Sequence, residues 1–161
     1  MEWKLERVTK KEQEVLYRLL QYSLFEESGT DSNEMNQDGT FSYEWFDAYF
    51  SDDSRDAYLI RKSDSNQLLG FVMVNEHLER FQDGHSIAEF MVIPKYRRKG
   101  IGRKVAVSIF EKYPGNWEVR PAYGSEKAYL FWRNVIEGYM HQGFLYEDSI
   151  FLFTNGTKRM K

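Results

Sequence analysis

The stretch from Ser86 to Tyr113 most narrows what this chain can fold into. An apolar run, Ser86–Ile93, stops at Pro94. A basic loop with Gly100 and Gly102 follows, and then Ile101, Val105 and Ile109, with Ala106 and Phe110, recur at helical spacing until Pro114-Gly115. A buried strand that feeds through a glycine-containing loop into an amphipathic helix is the working unit of an α/β domain, in which the helix covers the sheet.

The remaining elements read in the same way. Trp3–Val8 is a short strand. Thr9, three residues before Glu12, makes a capping box for a helix that runs to about Phe25 with Leu16, Leu19 and Leu20 inward. Residues 28–40, rich in Ser, Gly, Asp and Asn, read as a mobile loop. Ser42–Phe50 reads as a second short helix with Trp45, Phe46, Tyr49 and Phe50 inward. Ala57–Arg61 and Leu68–Asn75 flank the turn Ser63–Asn66 as a hairpin. Trp117–Tyr123 reads as a strand, Ser125 caps a helix to about His141, and Gly143–Tyr146 with Ser149–Thr154 close the chain. The order is β-α-α-β-β-β-α-β-α-β-β, with helices on both faces of a mixed sheet. At 161 residues this is one domain, 1–161, and the basic end at 156–161 is expected to be a disordered tail.

Composition removes several chemistries. With no cysteine there are no disulfides, thiolate metal sites or thiol nucleophiles. His77, His85 and His141 show no metal spacing. Glu34 to Asp38-Gly39 imitates a calcium loop, but its twelfth position falls on Trp45. No apolar run is long enough for a membrane span, and the first residues carry acids and lack the apolar run of a signal peptide, so the cytoplasm is expected. A net charge of −3 argues against nucleic acid, and a monomer or homodimer is expected. The charges are nevertheless segregated. Ten acids and one base, Arg55, lie between Glu26 and Asp56, whereas six bases and no acid lie between Lys95 and Lys104. Such blocks point to a cationic ligand at one place and an anionic one at another.

The basic block coincides with a helix start, where unpaired N–H groups and the helix dipole favour phosphate. Gly100 and Gly102 leave room for a pyrophosphate, and Arg97, Arg98, Lys99 and Arg103 can add charge-assisted hydrogen bonds. The spacing fits neither a Walker loop nor a dinucleotide fingerprint, which would need glycine or alanine at Val105. Arg97-x-x-Gly100-x-Gly102, after a strand ending V-x-P-x-Y, resembles the Arg/Gln-x-x-Gly-x-Gly/Ala signature of the GNAT acetyltransferases. The specific likeness spans about residues 86–136.

That resemblance implies a single-domain GNAT-like α/β fold with a mixed, mostly antiparallel sheet flanked by helices, and acetyl-CoA as cofactor. It implies a cofactor site of Met91, Val92, Ile93, Arg97, Arg98, Lys99, Gly100, Ile101, Gly102 and Arg103, with Ser125, Ala128 and Trp132 from the later helix. N–H groups near Val92 would polarise the thioester. That later helix departs from the family's N-x-x-A-x-x-x-Y pattern: Ser125 and Trp132 stand where asparagine and tyrosine are usual. Trp132 cannot protonate a leaving thiolate. Tyr129 is the candidate acid in its place, ahead of Tyr123 and Tyr139. Glu89, interrupting an apolar strand, is the candidate base, with His85 second. Tyr43, Trp45 and Phe46 are candidates for holding a cationic acceptor by cation–π contact. The expected activity is acetyl transfer to a primary amine of a small cationic molecule or basic peptide by direct attack. The alternative is a non-catalytic acyl-CoA-binding sensor or interaction module on the same fold.

Overall fold

The computed structural model describes residues 1–156, so the expected tail lies, from residue 157 on, outside the described residues. The strands are β1 (Trp3–Arg7), β2 (Arg55–Lys62), β3 (Leu68–Asn75), β4 (His85–Val92), β5 (Gly115–Val119), β6 (Phe144–Glu147) and β7 (Ile150–Asn155). They form one seven-stranded sheet in the order β1-β2-β3-β4-β5-β7-β6. Every pairing is antiparallel except β4 with β5. The single parallel pair follows from its connection, since a strand-to-strand crossover through a helix returns the chain in the same direction.

The helices are α1 (Gln13–Glu27), α2 (Ile101–Lys112) and α3 (Glu126–Met140). The central strands are apolar on both faces because both are covered. On one face α2 and α3 bury Val105, Ile109, Phe110 and Ile136 against Ile60, Val72, Val74 and Trp117. On the other, α1 buries Leu16, Leu19, Leu20 and Leu24 against Leu59, Phe71, Met73 and Met91. The capping box forms as expected: the Lys11 amide donates to Thr9 Oγ1 at 3.3 Å and the Thr9 amide donates to Glu12 at 3.4 Å. It opens a 3-10 turn, Lys10–Glu12, that runs into α1.

Two elements differ from their sequence reading. The expected helix over Ser42–Phe50 is a single 3-10 turn, Asp47–Phe50. Trp45 has φ 70°, which no right-handed helix accommodates. Gln21 of α1 brackets the Phe41 backbone, donating to its carbonyl at 2.8 Å and accepting from its amide at 2.7 Å. Anchoring Phe41 and Tyr49 in the α1 core outweighs helical regularity here. β5 starts earlier than expected, at Gly115, and ends at Val119 instead of Tyr123. Pro121 has no N–H for a ladder, and the chain must leave β4 at this point.

Candidate functional site

β4 and β5 pair only at His85↔Trp117, Ser86↔Glu118 and Ile87↔Val119. Beyond Ile87 the strands part, and a cleft of about 740 Å³ opens through the sheet. Its walls come from both faces: Ser23, Glu26, Glu27 and Thr30 from α1 and its end, and residues of α2 and α3 opposite. Two contacts span its mouth. The Thr30 hydroxyl donates to the Tyr123 carbonyl at 2.6 Å, and Arg97 Nη1 and Nη2 donate to Glu26 at 3.2 and 3.3 Å.

A bulge in β4 decides which wall each of its side chains serves. Met73 pairs with Glu89 and Val74 with Ile87, so Ala88 is one residue too many. In a regular strand Ile87 and Met91 would share a face. Instead Ile87 joins the α2–α3 core and Met91 the α1 core. The extra residue turns Glu89, with Met91, toward the end of α1. There its carboxyl lies close to the Glu27 carboxyl and the Tyr43 hydroxyl, although Glu89 itself is not among the residues that line the cleft. Burial first, and then the negative charge of Glu27, hold Glu89 well above the usual carboxylate range, against the lowering effect of the Tyr43 hydrogen bond. Glu27 is raised as well, chiefly by burial, against hydrogen bonds with Glu89 and with Ser23 Oγ, which donates at 3.5 Å. Burial and the Glu89 charge push the Tyr43 hydroxyl far above its ordinary value, so it stays a donor.

The opposite wall is made of backbone. Gly100 precedes α2 with φ 82°, in the left-handed region, and no side chain caps the helix. A Cβ on Gly100 would meet nothing within 4 Å and would project into open space. Gly102 differs: its Cβ would lie 3.1 Å from the Phe131 ring, so this glycine lets α3 approach α2. At the end of β4 the Ile93 amide donates to the Leu69 carbonyl at 2.8 Å. By alternation the Val92 edge turns the other way, to the side where β5 has departed. Its carbonyl accepts from Arg97 Nε at 2.6 Å.

Of the residues expected to hold a cofactor, all line the cleft except Ile93, Lys99 and Ile101, the last buried in the core. Ser125 caps α3, accepting from the Ala128 amide at 3.0 Å, and Trp132 packs edge-on to Phe90 with ring centres 5.0 Å apart. The catalytic expectations separate. Glu89 sits on the α1 side as described. The structure does not bring Tyr129 to it: that ring packs on Tyr146 and Phe151, and its hydroxyl accepts from Arg133 at 3.0 Å. Tyr123 is 76% exposed with its backbone at the mouth, and the Tyr139 hydroxyl accepts from Asn155 at 3.0 Å. Among the described residues, no tyrosine side chain lines the cleft. His85 stands at the far end of β4 between Tyr113 and Trp117, its pKa lowered by burial.

The acceptor residues separate too. Tyr43 reaches Glu89. Trp45 already has a cation, the Arg55 guanidinium 5.2 Å from its ring centre, and Phe46 packs between Tyr17 and Phe50. The acidic block also divides. Asp52 holds Arg55, Asp56 holds Arg7 and Tyr113, and Asp38 turns the loop at Thr40, whereas Glu26 and Glu27 line the cleft. Glu27 was not singled out from the sequence. The one local signal was two acids, Glu26 and Glu27, at a helix C-terminus, where the dipole disfavours them.

Residues 18–123 match the profile of the Acetyltransferase (GNAT) family. The sequence matches no protein of curated function. Among solved structures, an acetyltransferase from Thermus thermophilus shares 15% identity with a TM-score of 0.65, covering 94% of each chain. Spermidine N-acetyltransferase from Vibrio cholerae, in complex with CoA and spermine, shares 9% at a TM-score of 0.62, covering 95% of each. Putative N-acetyl transferase YhhK from E. coli, bound to coenzyme A, shares 20% at 0.56, covering 97% of this chain and all of that one. These likenesses establish a common fold.

Proposed function

The chain belongs to the Acetyltransferase (GNAT) family, and from that premise we propose that it transfers the acetyl group of acetyl-CoA to a primary amine of a small cationic molecule or basic peptide. The observation that carries this reading is the cleft through the sheet, with an uncapped helix start on one side and the half-buried carboxyls of Glu27 and Glu89 on the other.

Acetyl-CoA suits the residues present. The start of α2 offers unpaired N–H groups, a glycine whose missing Cβ leaves the approach open, and Arg98 and Arg103 on the cleft wall. Arg97 is committed to Val92 and Glu26 and serves better as a strut than as a phosphate ligand. The free edge of β4 beyond Ile87 can pair with an extended amide-bearing chain as an added strand would. When bound, the cofactor supplies an activated acetyl group on a thiol whose pKa, about 8.5, lets it leave without an acid. That agrees with a cleft lined, among the described residues, by no tyrosine side chain.

The protein's own part is then positional and electrostatic. The Val92 N–H, on the open edge of β4, stabilises negative charge on the attacked carbonyl oxygen in this reading. Glu89 takes a proton from the acceptor's ammonium, which would otherwise hold its lone pair at neutral pH. A raised pKa suits this task, because a carboxyl closer in basicity to the amine is a stronger base. With no cysteine in the chain, the amine attacks directly.

Thiol release from acetyl-CoA, followed with DTNB across polyamines, aminoglycosides and lysine-rich peptides, tests the reading. Acceptor-dependent release is expected. Tight acetyl-CoA binding without release for any amine would instead favour the sensor, for which the absence of a tyrosine side chain from the cleft lining also argues.

A further inference from the structure

The end of α1 breaks a local rule. A helix C-terminus favours cations, yet α1 ends Glu26-Glu27 with no base in its last turn. Arg97 relieves Glu26 from across the cleft. Glu27 receives no such help. It lines the cleft and takes a hydrogen bond from Ser23, and the bulge at Ala88 turns Glu89 to the same side of the sheet, close to it. The other groups facing the two carboxyls are Glu26 and Asp31 at the end of α1 and the Tyr43 hydroxyl from the loop. Two carboxyls this close cannot both ionise cheaply, so each holds its proton more tightly than a free carboxyl does. Nothing in the fold requires this arrangement: a glutamine at 27 would satisfy the same hydrogen bonds without the repulsion.

We propose that Glu27 is a second catalytic carboxylate of this site: with Glu89 it forms a pair that holds the acceptor's ammonium in place of its own shared proton and receives the proton that the ammonium sheds. The proposal rests on the acetyl-transfer reading for its substrate. The protons balance in two steps. The resting pair carries one proton and one negative charge, and it gives that proton to water as R–NH3+ enters between the carboxylates. One N–H bond of the ammonium then breaks, its proton goes to the pair, and R–NH2 is left with a free lone pair. The pair is back to one proton and one charge, and the net change is ammonium to amine plus one proton released. A single carboxylate would bind a cation less selectively. The pair therefore favours acceptors that enter charged, primary alkylamines above anilines or amides.

The test has two arms that fail separately. In the intact protein, with Glu side chains carrying carbon-13 at the carboxyl, the Glu89 titration is followed in wild type and in Glu27→Gln. The expected result is that Glu89 titrates well above the ordinary carboxylate range in wild type and falls by about one pH unit in the variant. An unmoved Glu89 titration overturns the pair, whatever the activity. In the second arm, kcat/KM for a diamine is measured against pH. Glu27→Gln should move the acid limb to lower pH, because the remaining base has lost its like-charged neighbour. It should also raise KM about tenfold, a loss of about 1.4 kcal/mol in cation binding, and leave acetyl-CoA affinity unchanged. Glu27→Asp, which keeps the charge, should keep the acid limb where it is. An unshifted limb with an unchanged KM in Glu27→Gln overturns the catalytic role. If the Glu89 titration shifts as expected but wild type acetylates no amine, the pair stands and the acetyl-transfer reading falls.

Discussion

The two walls of the cleft are made of different materials. The α2 wall is backbone: a left-handed glycine, an uncapped helix start and a strand edge, all within residues 92–103. The α1 wall is side chain: Ser23, Glu26 and Glu27 line it, and close to Glu27 stand Glu89 and Tyr43, from segments far apart in the chain. Backbone dipoles are fixed by the fold and do not titrate, so the first wall should hold its ligand much alike across neutral pH. The carboxyls owe their character to one another and to burial, so the second wall should answer to pH and to single substitutions. A phosphate-bearing ligand needs the first kind of surface and an ammonium the second.

The comparison is broken most directly at Glu89. Glu89→Gln should lower kcat at neutral pH about 10²–10⁴-fold with acetyl-CoA affinity unchanged. The deficit should shrink toward pH 10 as the amine loses its own proton, and a ratio flat with pH would mean that Glu89 is not the base. Next is Gly100. A valine there must adopt φ 82° and puts methyl groups into the approach to the helix start. Loss of one or two charge-assisted hydrogen bonds, about 2.7 kcal/mol, should weaken coenzyme A about 100-fold in calorimetry. An unchanged affinity would take the ligand away from α2.

Gly102 sharpens the contrast, since from sequence it shares the phosphate role with Gly100. Its Cβ would press on Phe131 instead. Gly102→Val should therefore lower stability by about 1–3 kcal/mol, seen in thermal unfolding, before it touches affinity. Lost affinity at an unchanged Tm would return Gly102 to the phosphate site.

Stability should also carry the mark of the carboxyl wall. Glu27 and Glu89 have folded pKa values raised above their ordinary 4.5. Their contribution is fully present below that value, where both states are protonated, and is lost as pH rises through the raised folded values. Tm should thus fall from pH 5 to pH 8, by about 3–5 °C for each tenfold by which folding tightens the carboxyls' hold on their protons. A Glu27→Gln, Glu89→Gln double variant should flatten the fall. The smallest effect is expected at Tyr129. Tyr129→Phe loses one hydrogen bond from a half-exposed Arg133, about 1 kcal/mol at most, and should leave kcat unchanged. A large fall in kcat alone would restore Tyr129 as the acid.

The same contrast explains what could be read in advance. Pro94, the basic run and the two glycines sit together in the chain, so the strand, the turn and the helix start they form were legible, as were the caps at Thr9 and Ser125. The carboxyl pair was not. Glu89 stood out as a charge in an apolar strand, but its direction depends on one extra residue at Ala88, set by pairing with β3. Glu27 lay hidden among ten acids whose separate partners only the fold assigns. The stretch from Ser42 misled for the same reason: its aromatic spacing is helical, yet Gln21 and the α1 core dictate its path.

The central claim is that one molecule meets the α2 wall and another the α1 wall, on opposite faces of one sheet. Amide shifts in nitrogen-15-labelled protein during titration with coenzyme A test it most directly. Large shifts should appear at Val92, Gly100, Ile101, Gly102 and Arg103, with Tyr43 and Glu27 little moved. Shifts centred instead on the groove of Phe81, Phe144 and Phe153 beside β6 and β7, or on the α1 wall, would contradict it.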